Sequence, residues 1–154
     1  MKIGIIVYSQ TEHTYSVAQK IEEALLNRGH SVNIERIDTI DAKQTDVNKI
    51  KLKKLPDLTK YDALVFGSPV HGFSLSRVMT CYMSQIPSLQ DKNIACFVTN
   101  SMPFNSTGGN QTIAKMKKIS ESKGGTVSGT GIVVWNKDRE KQISKIADEL
   151  SRLF

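Results

Sequence analysis

The stretch Tyr8-Ser9-Gln10-Thr11-Glu12-His13-Thr14-Tyr15-Ser16-Val17-Ala18 decides how this chain is read. Just ahead of it, residues 3–7 are Ile-Gly-Ile-Ile-Val, a short apolar run without polar alternation, as in a strand buried on both faces. Just after it, Val17, Ala18, Ile21, Ala24 and Leu25 recur at three- and four-residue steps, which marks a helix with one apolar face. Residues 9–14 are therefore a strand-to-helix turn with hydroxyls on Ser9, Thr11 and Thr14. At such a turn the free N–H groups of the helix's first residues and the positive end of its dipole converge on one point. The turn serves either as a hydroxyl cap for the helix or as a seat for a phosphate, which needs no lysine there.

Outward from this turn, strand and helix keep alternating. Gly29 is a good stop for the first helix. Residues 31–37 alternate Val32, Ile34 and Ile37 roughly with polar residues, which suggests an edge strand. Residues 38–60 show no clear pattern and are read as holding one short helix, stopped by Pro56. Residues 63–66, Ala-Leu-Val-Phe, form the next buried strand, and Gly67-Ser68-Pro69-Val70-His71-Gly72 follows it. A helix runs from Ser74 or Ser76 to Gln85, and residues 94–98 are a fourth strand opening into a loop over residues 100–110. Ile113, Met116 and Ile119 lie on another helix, closed by Gly124-Gly125. Residues 126–135 are a fifth strand, thinned by Gly129 and Gly131, and Asn136 is the expected cap of the last helix. That helix carries an apolar stripe of Ile143, Ile146, Ala147, Leu150 and Leu153.

Five strands alternating with about five helices imply an α/β fold, a doubly wound parallel sheet with helices on both faces. With no internal repeat and no low-complexity linker, the expectation is one domain over residues 1–154. In such sheets, ligands sit beyond the carboxyl ends of the strands, where strand order reverses. Three loops leave those ends, at residues 9–14, 68–72 and 99–108, and all are rich in Ser, Thr, Gly, Pro or Asn. Convergence of the three would make one pocket.

The net charge of +6 suits acidic partners, but no nucleic-acid-binding module or aromatic-interleaved basic motif is present. The lysines gather at Lys43, Lys49, Lys51, Lys53, Lys54 and Lys60, either as a solvated face or as a docking patch for an acidic protein. No apolar run approaches membrane-spanning length, and the apolar residues before Tyr8 are too few for a signal peptide. The expected location is the cytoplasm. Cys81 and Cys96 lack metal or redox spacing and read as buried free thiols, and Met79 and Met83 as core.

Several phosphate chemistries are excluded. There is no Gly-x-x-x-x-Gly-Lys loop and no Gly-x-Gly-x-x-Gly turn. Ser68-Pro69 stands where a phosphate-accepting receiver domain would carry a carboxylate, and no cysteine lies at the first turn for a phosphatase. Instead, Ser9-Gln10-Thr11-Glu12-His13-Thr14 resembles the phosphate loop of flavodoxins, (Ser/Thr)-x-Thr-Gly-x-Thr, placed after the first strand. Gly67-Ser68-Pro69-Val70-His71-Gly72 resembles that family's second flavin loop, placed after the third. The resemblance covers essentially the whole chain, with a length that fits the short-chain branch.

The resemblance implies a five-stranded sheet of order 2-1-3-4-5, three layers deep, holding non-covalent FMN. It implies that Ser9, Thr11 and Thr14 bond the phosphate by hydroxyl while Gln10, Glu12 and His13 offer backbone N–H groups. Ser68, Pro69, Val70, His71 and Gly72 would line the inner face of the isoalloxazine. Thr99, Asn100, Ser101 and Phe104 would line its other sides. The Gly72–Phe73 peptide matches the one that reorients toward the ring on reduction. A protonated His71 would raise the flavin's potential. Trp135 is read as packing, and His13 as acting by its backbone. Glu12 departs from the family's glycine; at positive φ it would carry strain of about 1–3 kcal/mol and bring a carboxylate toward the phosphate. The aromatic-rich third loop of the family is also missing, and flavodoxins are usually acidic where this chain is basic.

The leading functional expectation is an electron carrier between a reductase and an acceptor, with redox proteins as partners, no nucleic acid and no membrane. The alternative is an NAD(P)H-dependent reductase of quinones or flavins on the same fold. A third reading is an interaction module whose flavin loops have decayed.

Overall fold

The computed structural model describes residues 1–102 and 108–154. Its elements follow in the order β1 (Lys2–Val7), α1 (His13–Asn27), β2 (Ser31–Arg36), β3 (Ala63–His71), β4 (Ser74–Leu75), α2 (Arg77–Ser84), β5 (Asn93–Asn100), α3 (Gly109–Ser122), β6 (Thr126–Val134) and α4 (Arg139–Ser151). The sheet runs β2-β1-β3-β5-β6, every neighbouring pair parallel. Setting aside the two-residue β4, which pairs antiparallel with the end of β3, this is the expected order 2-1-3-4-5.

Side chains alternate across the sheet and feed two cores. Along β3, Ala63 and Val65 join Ile3, Ile5 and Phe97 beneath α1 and α4. Leu64 and Phe66 turn the other way and join Ile6, Ile94, Cys96 and Val98 beneath α2 and α3. Truncation of a fully buried residue such as Ile5 would cost about 2–5 kcal/mol. Met79 and Met83 are fully buried in the second core, and both cysteines are free and buried, as expected.

Two boundaries differ from expectation. Residues 38–60 form no α-helix; they hold two single 3₁₀ turns, Val47–Lys49 and Leu58–Lys60, each capped by the aspartate before it. Polar Asp and Asn side chains compete there for backbone N–H groups, which favours turns over a helix. At α4, the cap is Asp138; Asn136 instead accepts the Asp138 N–H at 2.9 Å in a turn ahead of the helix. All six lysines singled out in the sequence are exposed. Lys53 pairs with Asp38 at 3.1 Å and Lys60 with Glu35 at 3.8 Å.

Candidate functional site

The β1–α1 turn closes with few of its backbone donors used. Ser9 Oγ accepts the Tyr15 N–H at 3.1 Å, and the helical ladder begins only at Ser16 N–H to the Glu12 carbonyl, 2.9 Å. The N–H groups of Gln10, Thr11, Glu12, His13 and Thr14 have no hydrogen-bond partner among the described residues. This is the orphan donor set of a helix N-terminus, extended back into the turn. Glu12 is the N-cap residue with φ 67, so the left-handed geometry expected of the glycine position is present with a glutamate in it. Its carboxylate is drawn to the β2 edge, where Arg36 Nη2 donates to it at 2.7 Å.

The three hydroxyls have different environments. Thr11 is exposed. Ser9 is engaged as a cap for Tyr15. Thr14 is 1% exposed and shares a hydrogen bond with the Thr99 hydroxyl at 2.9 Å, tying the first loop to the end of β5. His13, expected to act by its backbone alone, also stacks its ring on Trp135 with centroids 4.0 Å apart. The backbone N–H of Trp135 in turn donates to the Asn100 carbonyl at 2.8 Å. The sequence carried no signal for this link, because the two rings are 122 positions apart in the chain.

The second loop is a tight hairpin between β3 and β4. His71 faces Ser74 in register, leaving Gly72 and Phe73 as the turn, with φ 56 and 64. Two positive φ angles in succession are what a type I′ turn demands, and only Gly72 adopts them without strain. Phe73 is exposed at the tip. Gly108, at the start of α3, supports the tip from below: a side-chain carbon there would stand 2.5 Å from Phe73 Cα.

A groove of about 480 Å³ runs between this hairpin and the end of β5. Gln10, Val70, His71, Gly72, Asn100 and Ser101, all expected site residues, line it, together with Phe73, Met102 and the unexpected Arg77. All three loops therefore meet at one rim. Ser68 does not join them: it is fully buried, its hydroxyl bonded to Ser76 Oγ, the N-cap of α2, at 2.9 Å. Pro69 lies half-buried beside it, in register with Thr99. Phe104 lies outside the described residues. On the far side of His71 a second groove, about 560 Å³, is lined by Tyr8, Gln44, Thr45 and Arg77. A smaller apolar cleft of about 160 Å³, lined by Leu58, Tyr82 and Ile86, lies at the opposite end of the sheet.

Charge at the rim differs from expectation at His71. Burial pushes its pKa down, and the Arg77 guanidinium pushes it further the same way. Both effects favour the neutral imidazole, against the expectation of a protonated His71. The ring of Tyr8 meets His71 edge-on at 6.2 Å, and burial raises the Tyr8 phenol, with Asp38 adding to it. Among the described residues no group of His, Cys, Asp and Glu could hold a metal ion.

Comparison with known proteins agrees with this architecture. Residues 5–129 match the family described as "Flavodoxin domain". Over the full length of both chains, the fold resembles oxidised Flavodoxin 2 from Bacillus cereus, with a TM-score of 0.72 at 17% identity. It resembles two-electron reduced Megasphaera elsdenii flavodoxin at 22% identity and a TM-score of 0.71, over 97% of this chain and 98% of that one. A flavoprotein in complex with FMN from Lactobacillus acidophilus NCFM follows at 17% identity and 0.65, over 92% and 97%. At these identities the likeness concerns the fold. In sequence, 95 residues are 27% identical to an NAD(P)H dehydrogenase (quinone) of Cupriavidus metallidurans, 57% of this chain and 48% of that protein. The match thus spans about half the length of that curated relative.

Proposed function

Because the chain belongs to the flavodoxin-domain family, we propose that it binds FMN non-covalently where the three loops meet and carries electrons between a reductase and an acceptor protein. One observation carries this reading: a run of N–H groups, residues 10–14, without partners among the described residues, opens beside a groove lined by residues of all three loops. The residues fit the group. The N–H run and the exposed Thr11 hydroxyl suit the phosphate, since a helix N-terminus satisfies an anion with backbone donors and dipole together. Ser9 and Thr14 would support the turn by the bonds they already make. His71 and Gly72 on one wall and Asn100 and Ser101 on the other would enclose the ring.

The bound group supplies reversible electron uptake; the protein supplies position and polarity. Among the described residues, none but its chain neighbours lies within 4 Å of where a Gly72 side chain would stand, so that side of the Gly72–Phe73 turn is open. A neutral His71 offers one donor and one acceptor nitrogen and adds no net charge. Exposed Lys43, Lys49, Lys51 and Lys54 would favour an acidic redox partner through long-range attraction. No helix among the described residues is long and apolar enough to cross a membrane.

Titration of the apoprotein with FMN tests the reading. Saturable binding with a changed flavin spectrum is expected, and no binding would overturn it. A second reading, direct reduction of a quinone or free flavin by NAD(P)H, is favoured by the quinone dehydrogenase relative. Steady NAD(P)H oxidation by the FMN-loaded protein, without an added reductase, would select it over the carrier.

A further inference from the structure

Glu12 is the residue of the turn least suited to a phosphate, yet it is not left uncompensated. Arg36, the last residue of β2, lies in register with Val7, the last residue of β1, so its side chain starts beside the turn. Arg36 Nη2 donates to Glu12 Oε1 at 2.7 Å and Nη1 to Oε2 at 3.3 Å, a two-pronged pair. Nη2 also reaches the Ser9 carbonyl at 3.4 Å, and the guanidinium lies 4.3 Å from the centre of the Tyr15 ring. One side chain from the edge strand thus grips the first and fourth residues of the turn and the first turn of α1. No other ion pair to Glu12 occurs among the described residues.

We propose that Arg36 is the positioning residue for phosphate recognition: it holds the Glu12 carboxylate at the β2 edge and cancels its charge, so that the N–H run can accept a dianion. This rests on the FMN reading above. Arg36 acts through Glu12, and the pair replaces by electrostatics what a glycine at position 12 would give by having no side chain.

The test compares FMN with riboflavin, which has the same ring system and no phosphate, on apoprotein at low salt. Arg36→Gln is expected to weaken FMN about tenfold, because the released carboxylate repels the phosphate dianion. Riboflavin affinity should change less than about twofold. In a Glu12→Gly background, Arg36→Gln should weaken FMN clearly less than it does with Glu12 present, because only the direct attraction of the guanidinium for the phosphate is then lost. Arg36→Lys, which keeps the charge without the fork, should recover part of the loss. An equal loss of FMN affinity in both backgrounds would overturn the proposal, since Arg36 would then act without Glu12. A parallel loss of riboflavin affinity would also overturn it, by showing general damage to the site. If the wild type binds neither compound, the functional reading itself fails and this inference falls with it.

Discussion

The hydroxyls of Thr14 and Thr99 meet at 2.9 Å in the buried interior, across 85 positions of sequence. Both side chains are almost wholly removed from solvent. This bond fastens the β1–α1 turn to the carboxyl end of β5, two loops that share one groove wall.

Thr14→Val leaves the Thr99 hydroxyl buried without that partner and should cost about 1–3 kcal/mol of stability. Thr14→Val/Thr99→Val should cost clearly less than the sum of the two single changes, because neither buried hydroxyl remains. Urea unfolding of the three variants measures this, and strict additivity would contradict the shared bond.

Glu12→Gly should stabilise the fold by roughly 1 kcal/mol. Relief of a left-handed glutamate is worth about 1–2 kcal/mol, and the exposed pair with Arg36 returns less than about 1. For a chain of this size the melting temperature should rise by about 2–4 °C. A fall would show that the ion pair outweighs the strain.

Gly108→Ala combines an unfavourable φ of 111° with a contact 2.5 Å from the Phe73 backbone. It should destabilise the protein by about 1–3 kcal/mol and displace the hairpin tip. FMN and riboflavin affinity should fall together, since the ring wall moves and the phosphate turn does not. A selective loss for FMN would place the damage elsewhere.

His71 gives a pH dependence of definite sign. Its folded pKa lies below the ordinary value of 6.5, so the folded state disfavours the proton. Above the ordinary pKa both states are neutral and nothing is lost. As pH falls through that value toward the folded one, the unfolded state takes up the proton first and stability declines. Wild type should therefore lose more stability than His71→Gln between about pH 7 and 5. Equal losses would mean that the imidazole is not held neutral.

Cys96 lies in the sheet core with its thiol pushed up to about 12 by burial. Thiolate is the reactive form. The native protein should leave Cys96 untouched by a thiol reagent at pH 8, and the unfolded chain should expose it at once.

Much of the fold was legible because β1, β3 and β5 are buried on both faces, and such strands announce themselves as unbroken apolar runs. The hydroxyl turn was legible because its chemistry is local: strand, Ser9 to Thr14, helix. Residues 38–60 were not, because Asp46 and Asp57 decide the local structure by capping single turns, and no periodicity records that. At His71 the residue type was visible but its charge state was not. That depends on burial and on Arg77, six positions further on, which the hairpin returns to its side. The Arg36–Glu12 pair was equally hidden, since it is set by strand register between β1 and β2 and leaves no pattern in either segment.

The stacking of His13 on Trp135 has a practical consequence. Trp135 is the chain's sole indole, so ultraviolet emission from the unlabelled protein originates beside the β1–α1 turn. Its intensity and wavelength become a native optical gauge of whether that imidazole stays in place, readable in stopped flow.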